Sequence, residues 1–340
     1  MGKPMTFAVA GYGAWGRFHA RSIADAPDGR LVAIAAPSEA NARAAKADFP
    51  DAAVHRQWEV LIDDPAIEAI AVATPNHLHA PIAVAALEAG KHVLLEKPMA
   101  NTLADCDRIV AAAKRSKAQL SVALQCRLSP QWGRIRDLIE EGAIGQPQHV
   151  HVSLFRHPYR QGSGGWRYDR GRVGSWILEE PVHFFDLALW YLGRSGRPVR
   201  VQALGAGQPG MQPVLSVLMH FPDGATVAIN QVLAGFEHHQ TVEVVGDKGA
   251  VRATWSAATA RSLEAVATLR LKRANSGDFE VLPVERSGEV YELAKQAQAS
   301  IVGFRSGKPL VSAEDGRAAV AVCLAAEQSA DQGGQPIAVD

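Results

Sequence analysis

The feature that most constrains this chain is Gly11-x-Gly13-x-x-Gly16, set between the apolar run Phe7–Ala10 and the helically spaced stretch Trp15–Ala26. The first glycine allows a tight turn, the second lets backbone approach a pyrophosphate, and the third lets helix and strand pack closely. The helix N-terminus adds oriented N–H donors, so the strand-loop-helix setting predicts a bound dinucleotide. The end of the next strand separates the two nicotinamide cofactors, because an acid there would bind the ribose 2′-hydroxyl. Here Leu31–Ala36 runs into Pro37 and Ser38. No carboxylate repels a 2′-phosphate, Ser38 can donate to one, and Arg43 offers a charge one helical turn on. NADP is therefore favoured, while Glu39, which could serve the ribose, keeps NAD open.

A chain of 340 residues suggests two domains. Over the first 125 residues, apolar strands alternate with helices: Glu68–Ala73, His92–Leu95 and Leu120–Leu124 continue the series, with helices at Glu39–Ala47, Leu78–Glu88 and Leu103–Ser116. Continuous apolar strands separated by helices imply a parallel sheet covered on both faces. Beyond Ser129 an amphipathic helix carries Trp132, Ile135, Leu138 and Ile139. Strands then follow one another from Gln148–Phe155 to Ala267–Lys272, with one helix near Leu178–Leu192 and two more near Glu289–Arg305 and Ala313–Ser329. Phe221-Pro222-Asp223-Gly224-Ala225 reads as a hairpin turn. Strands without intervening helices imply a mainly antiparallel sheet.

Formal net charge is zero, so no basic field attracts nucleic acid. No apolar run reaches the ~18 residues of a membrane span, and no secretory leader is evident. Met1-Gly2 to Thr6 matches a myristoylation pattern, but a strand begins at once, and lipidation is not expected. Cys106, Cys126 and Cys323 lie far apart, which fits a reducing cytoplasm. The pairs His77/His79, His149/His151 and His238/His239 have no third ligand nearby in sequence, so no metal site is expected.

Two further motifs end strands: Thr74-Pro75-Asn76-His77-Leu78-His79 and Glu96-Lys97-Pro98. A partly buried lysine beside a cationic nicotinamide can have its pKa lowered, hydrogen-bond a reacting hydroxyl and share in its deprotonation. Neighbouring strand residues point to opposite faces, which disfavours a mere Glu96–Lys97 pair. With the glycine loop, Gln125-Cys126-Arg127-Leu128-Ser129-Pro130, Glu179…His183…Asp186, and the closing Phe304–Pro309 and Glu314-Asp315-Gly316 segments, the chain resembles the Gfo/Idh/MocA family of sugar and polyol dehydrogenases over nearly its whole length.

The resemblance implies an α/β protein with a Rossmann dinucleotide-binding domain at 1–125. A C-terminal α+β domain at 126–340 would carry a large open, mainly antiparallel sheet, bind substrate and pack into homodimers or homotetramers. It places Gly11, Tyr12, Gly13, Ala14, Trp15, Gly16, Thr74, Pro75, Asn76, His79, Glu96, Lys97 and Gln125 at the cofactor, beside Ser38 and Arg43. Lys97, His183 and Glu179 become the catalytic group, and Arg127, Arg156, Tyr159 and Trp166 join them around a sugar or polyol. Where the family usually has Asp and then Gly two residues later, this chain has Glu179 and Pro181; the proline is tolerated if a helix starts there. Glu179 and His183, four apart, would share a helix face, and His183 is the better proton acceptor. Asp186 either orients His183 or packs structurally. The segment 156–172 holds five arginines against one acid, Asp169, with Tyr159, Trp166 and Tyr168 between them. It is either a platform gripping an anionic sugar or a set of solvated or subunit-contact charges. The expected activity is hydride transfer from a sugar or cyclitol hydroxyl. Two alternatives on the same fold are glycoside hydrolysis through transient oxidation and a non-catalytic dinucleotide sensor.

Overall fold

Apolar runs without polar alternation pair as strands buried on both faces, and the first third of the chain uses them that way. The computed structural model describes residues 3–339 apart from 234 and 236; the Met1-Gly2 pattern lies outside the described residues. Strands β1 (Met5–Ala10), β2 (Gly29–Ala35), β3 (Ala53–His55), β4 (Ala69–Val72), β5 (His92–Glu96) and β6 (Leu120–Ala123) form a parallel sheet ordered β3-β2-β1-β4-β5-β6. Helices α1 (Ala14–Asp25), α2 (Glu39–Asp48), α3 (Glu59–Asp63), α4 (His79–Glu88) and α5 (Leu103–Arg115) connect them. Strand order reverses between β1 and β4, which opens the crevice where such sheets bind ligands. Gly11, Thr74 and Lys97 follow the carboxyl ends of β1, β4 and β5.

The chain divides into two compact units. The first comprises Met1–Leu124, Ser163–Gly174 and Leu293–Val320; the second comprises Gln125–Gly162, Ser175–Glu292 and Ala321–Asp340. The late segment joins the first unit through its apolar side chains. Ala297, Ile301 and Phe304 share a core with Phe7, Val9, Ile23 and Ile34, and Phe304 stacks on His92 at 4.9 Å between ring centroids.

The second sheet is built from β7 (Pro147–Phe155), β8 (Arg200–Gln208), β9 (Met211–His220), β10 (Thr226–Val232), β11 (His238–Gly246), β12 (Gly249–Ala257), β13 (Val266–Arg273), β14 (Glu280–Leu282) and β15 (Ile337–Ala338). Its order is β14-β13-β12-β11-β7-β10-β9-β8-β15. Among the described residues of this sheet only β7 and β10 pair in parallel, with Val152 opposite Ile229; the other neighbours are antiparallel. Its residues alternate as a one-sided sheet demands: Val150, Val152, Leu154, Val227, Ile229, Val242 and Val244 are buried, while His149, His151 and Ser153 are only half-buried. Two helices of this unit are α6 (Trp132–Glu140) and α8 (Pro181–Tyr191), separated in sequence by the single turn α7 (Arg170–Val173). α9 (Glu289–Ser306) and α10 (Ala313–Asp331) close the chain. α8 packs on β7 and β10. Trp132 meets Phe184 edge-on at 6.2 Å, and the Tyr191 hydroxyl donates to the Trp132 carbonyl at 2.7 Å.

Three expectations change. α8 starts at Pro181 and not at Leu178, because proline fits the first helical position, where no N–H partner is needed. Glu179 therefore precedes the helix with non-helical torsions, φ −72° and ψ −100°, and does not share a helix face with His183. The short edge strands β3, β14 and β15 and helix α3 carry too few apolar residues to stand out in sequence. Among the described residues no helix is long and apolar enough to cross a membrane.

Asp186 and Arg127 anchor α8 from below. Arg127 Nε donates to Asp186 Oδ2 at 2.9 Å and Nη2 to Oδ1 at 2.6 Å, with both side chains almost wholly buried. The guanidinium also lies over the Trp190 ring at 5.1 Å. This geometry favours the packing role for Asp186, and it turns Arg127 into the core of its unit instead of toward a substrate. Asp186→Ala leaves a buried cation and should destabilise the protein by about 3–5 kcal/mol. Urea unfolding checks this; a loss below about 1 kcal/mol, the scale of an exposed pair, would contradict it.

Candidate active site

In the first unit the glycine loop is cut to fit a ligand's backbone contacts. Gly11 has φ +97°, and a Cβ there would stand 2.5 Å from the Ala73 carbonyl oxygen. A Cβ on Gly16 would stand 2.0 Å from the Gly11 oxygen, so helix and strand pack too closely for any other residue. Gly13 is different: nothing among the described residues lies within 4 Å of its Cβ position, so its backbone borders open space. It precedes α1 without a capping side chain, and the first turn, Ala14-Trp15-Gly16, carries no acid. The N–H groups of that turn therefore suit a pyrophosphate. Thr74 Oγ1 is buried with no hydrogen-bond partner among the described residues, which leaves it capacity for a ligand at the end of β4. These features fit a dinucleotide.

Other expected cofactor residues divide between open and structural positions. Tyr12 is buried and donates its hydroxyl to Asp48 at 2.8 Å; burial, that bond and the Asp48 charge all push its pKa up. Only its backbone belongs to the loop. Ser38 caps α2 by accepting from the Asn41 N–H at 3.2 Å, which leaves its own hydroxyl proton to donate. Arg43 is exposed and 3.5 Å from Glu39. Asn76 is buried and donates to the Val173 carbonyl at 2.9 Å. His79 is fully buried, with Nδ1 at 2.7 Å from the Pro98 oxygen and Nε2 at 3.0 Å from the Thr74 oxygen. It braces the turn after β4 against the turn after β5, where a place at the cofactor was expected.

Glu96 is the anchor of the second turn. Its Oε1 lies 2.6 Å from His19 Nε2 of α1, and its Oε2 accepts the Lys97 N–H at 3.1 Å. Burial opposes its charge, but the His19 hydrogen bond and the nearby His19, Lys97 and His79 outweigh that and hold its pKa below the usual carboxylate range. Lys97 follows on the half-buried rim and precedes Pro98 through a cis peptide.

In the second unit His183 lies in the first turn of α8, almost fully buried, and its N–H donates to the Glu180 carbonyl at 3.1 Å. It lines a recess with Glu180, Trp132, His238, Gln240 and Trp255. Glu179 is buried at the turn before α8. Gln125 is buried, with its Oε1 lacking a partner among the described residues. Arg156 pairs with Glu180 and lies over the Tyr159 ring at 4.5 Å. Tyr159 is buried; its oxygen accepts the Glu180 N–H at 3.3 Å, and its hydroxyl donates to the Trp176 carbonyl at 3.4 Å. The half-buried Trp166 belongs to the segment of the first unit and carries Arg167 over its ring at 4.6 Å. No three His, Cys, Asp or Glu residues are grouped to hold a metal ion among the described residues.

Residues 5–124 match the family model described as an oxidoreductase family with an NAD-binding Rossmann fold, and residues 132–252 match the GFO/IDH/MocA C-terminal domain. The chain belongs to the Gfo/Idh/MocA oxidoreductase family. It is 30% identical to the 1,5-anhydro-D-fructose reductase of Ensifer adhaerens over 81% of each chain. It is 27% identical to the myo-inositol 2-dehydrogenase of Thermotoga maritima over 96% of this chain and 97% of the relative. A structure of levoglucosan dehydrogenase in complex with NADH and L-sorbose shares the fold, with a TM-score of 0.86 at 22% identity over the whole of both chains. As a family oxidoreductase, the protein uses a nicotinamide dinucleotide.

Three polar residues around these sites, His19, Glu180 and Gln240, went unrecognised in the sequence, and His238 was weighed only as a metal ligand. His238 and Gln240 stand two apart and so share a strand face, and that face is the buried one. His238 Nε2 is 2.7 Å from Glu180 Oε1, and Gln240 Nε2 donates to the same oxygen at 2.7 Å. Burial and the Arg156 charge push His238 from 6.5 down to about 4. Because its folded value lies below the unfolded one, His238 contributes stability that is complete above pH 6.5 and lost as pH falls toward about 4. Its share is on the order of 3 kcal/mol. His238→Gln should therefore flatten the stability profile in that window in urea titrations at stepped pH; identical slopes for the two proteins would refute the assignment.

Proposed function

We propose that the protein is an NAD(P)-dependent dehydrogenase that oxidises, or in reverse forms, a secondary hydroxyl of a sugar, sugar derivative or cyclitol. The observation that carries this reading is the Glu96-anchored Lys97 turn, which follows β5 in the sheet whose β1 ends at the open glycine loop. When bound, the nicotinamide supplies the hydride acceptor. Lys97 hydrogen-bonds the reacting hydroxyl and stabilises the developing alkoxide. His183 takes the hydroxyl proton, and Glu179 steadies the substrate. Relatives named myo-inositol 2-dehydrogenase and 1,5-anhydro-D-fructose reductase support the substrate class.

NADP is the preferred cofactor in this reading. β2 ends at Ala35 before Ala36, Pro37 and Ser38, with no acid to repel a 2′-phosphate. The capped Ser38 keeps a proton to donate, and Arg43 stands one turn on. Assembly into a homodimer or homotetramer through the second sheet is supported by Leu204 and Leu218, 63% and 59% exposed on its outer face. The described helices give no membrane span, and a cytoplasmic enzyme suits three buried cysteines that form no disulfide among the described residues.

A panel of sugars, uronates and cyclitols, assayed in parallel with NAD and NADP by nicotinamide absorbance, tests the reading. Turnover of at least one ring hydroxyl is expected; release of free sugar from a glycoside without net reduction would replace it with hydrolysis. Lys97→Ala should lower kcat by at least ~100-fold while dinucleotide affinity, measured by fluorescence quenching, is retained. Undiminished turnover in that variant would remove Lys97 from the chemistry.

A further inference from the structure

Between Gly162 and Ser175 the chain leaves the second unit, and the intervening segment, Ser163–Gly174, packs with the first. Glycines in left-handed torsions mark both ends: Gly162 at φ +76°, Gly164 at +64° and Gly165 at +67°, then Gly174 at +80°. The early part of the segment is exposed or half-buried, whereas Val173, at the end of α7, is fully buried. Two asparagines hold that buried foot. Asn76 Nδ2 donates to the Val173 carbonyl at 2.9 Å, and Asn101 Nδ2 donates to the Arg172 carbonyl at 3.2 Å. Carbonyls in the last turn of a helix have no N–H partner within it, and the two side-chain amides supply one each. Gly174 is fitted against the same asparagine: a Cβ there would stand 2.7 Å from Asn101 Cγ.

Both asparagines belong to turns of the candidate site. Asn76 stands two residues after Thr74, whose methyl lies 3.1 Å from the Cβ position of Gly11, against the glycine loop. Asn101 stands four residues after Lys97. His79 ties the two turns together through the Thr74 and Pro98 carbonyls. We propose that Asn76 and Asn101 are positioning residues that latch segment 163–174 across the turns after β4 and β5, so that order in this segment and dinucleotide binding are coupled. A dinucleotide seated at the glycine loop and Thr74 stiffens the turn that presents Asn76, and by reciprocity a latched segment favours the bound dinucleotide. A glycine-rich, exposed segment held at one buried foot opens at lower cost than the core around it, which gives the coupling room to act. The competing explanation is that the asparagines merely cap a short helix. Capping alone would leave the segment's opening independent of the ligand.

Limited trypsinolysis of the whole protein reads the coupling. Arg167 and Arg170 are the cleavage points in the segment, and the exposed Lys272 and Arg273 of β13 are reference points in the second unit. NADP or NAD, whichever quenches fluorescence at the lower concentration, is the probe. At saturation it should lower the rate at Arg167 and Arg170 relative to the reference points at least about fivefold, the low end of usual coupling between sites. Asn101→Ala should speed cleavage of the segment in the ligand-free protein about fivefold, the scale of one neutral hydrogen bond, because such cleavage follows the population of the opened form. Gly174→Ala drives a methyl into Asn101 and should speed cleavage likewise. The double variant should fall short of the product of the two effects, since both act on one latch. Should Asn101→Ala not fold, the native ratio and Gly174→Ala carry the test. Equal slowing at the segment and the reference points, a ratio that ignores the dinucleotide, or native-like cleavage of a folded Asn101→Ala overturns the proposal. No sugar is present in the assay, so its failure is distinguishable from failure of the polyol reading, which is judged on turnover of the panel.

Discussion

The hydrogen bond between His19 and Glu96 is the constraint from which the first unit's candidate site is built. α1 begins at the glycine loop and carries His19 in its second turn; β5 ends at Glu96, one residue before Lys97. One 2.6 Å contact therefore fixes the helix that begins at the glycine loop to the strand that ends just before Lys97. The carboxylate's other oxygen takes the Lys97 N–H, so the backbone that aims the lysine is held by the same group. An unpartnered carboxylate at this depth would be costly, and a charged one is kept only because it is hydrogen-bonded on both oxygens. His79 adds a second brace by joining the Thr74 and Pro98 carbonyls. Positioning to a fraction of an ångström is what a hydride-transfer site requires, and these buried polar contacts supply stiffness that loops alone would not.

The glycine loop and the Glu96-Lys97-Pro98 turn were legible in the sequence because each is local. Their meaning depends on residues within a few positions of a strand end, and the apolar runs that place those ends are unambiguous. The second sheet was legible for the same reason: β7 to β13 alternate or run apolar over several residues. Edge strands β3, β14 and β15 have two or three residues each, too few for a period to show. The start of α8 was misplaced by three residues because Trp176-Ile177-Leu178 reads as apolar helix. Pro181 sets the true boundary, and Glu179 moves off the helix face as a consequence.

Long-range polar pairing was not legible. Glu180 and His238 are 58 positions apart, and His19 and Glu96 are 77 apart. No spacing rule links such residues; the fold brings them together after the apolar pattern has set the sheets. The histidine pair His238-His239 drew attention only as a possible metal ligand, yet the strand's period of two already separated the buried residue from its outward neighbour. Arg127 shows the same limit from the other side. The family resemblance suggested substrate for it, while its partner Asp186, on α8, draws it inward.

The two units solve one problem in the same way. In each, a residue expected to handle the substrate hydroxyl stands close in sequence to a buried glutamate: Lys97 beside Glu96, His183 three after Glu180. In each, that glutamate is held by a histidine from a distant element at nearly the same distance, 2.6 Å for His19 and 2.7 Å for His238. The electrostatic settings differ. Glu96 has Lys97 and two histidines nearby, and its ionised form is favoured. Glu180 already has the Arg156 cation, so the same guanidinium that stabilises the carboxylate disfavours a second positive charge on His238. One anchor thus pairs a carboxylate with an imidazole beside a lysine on the site's rim. The other pairs its carboxylate with an arginine, and burial together with that guanidinium holds the His238 pKa down and keeps this imidazole neutral near neutral pH.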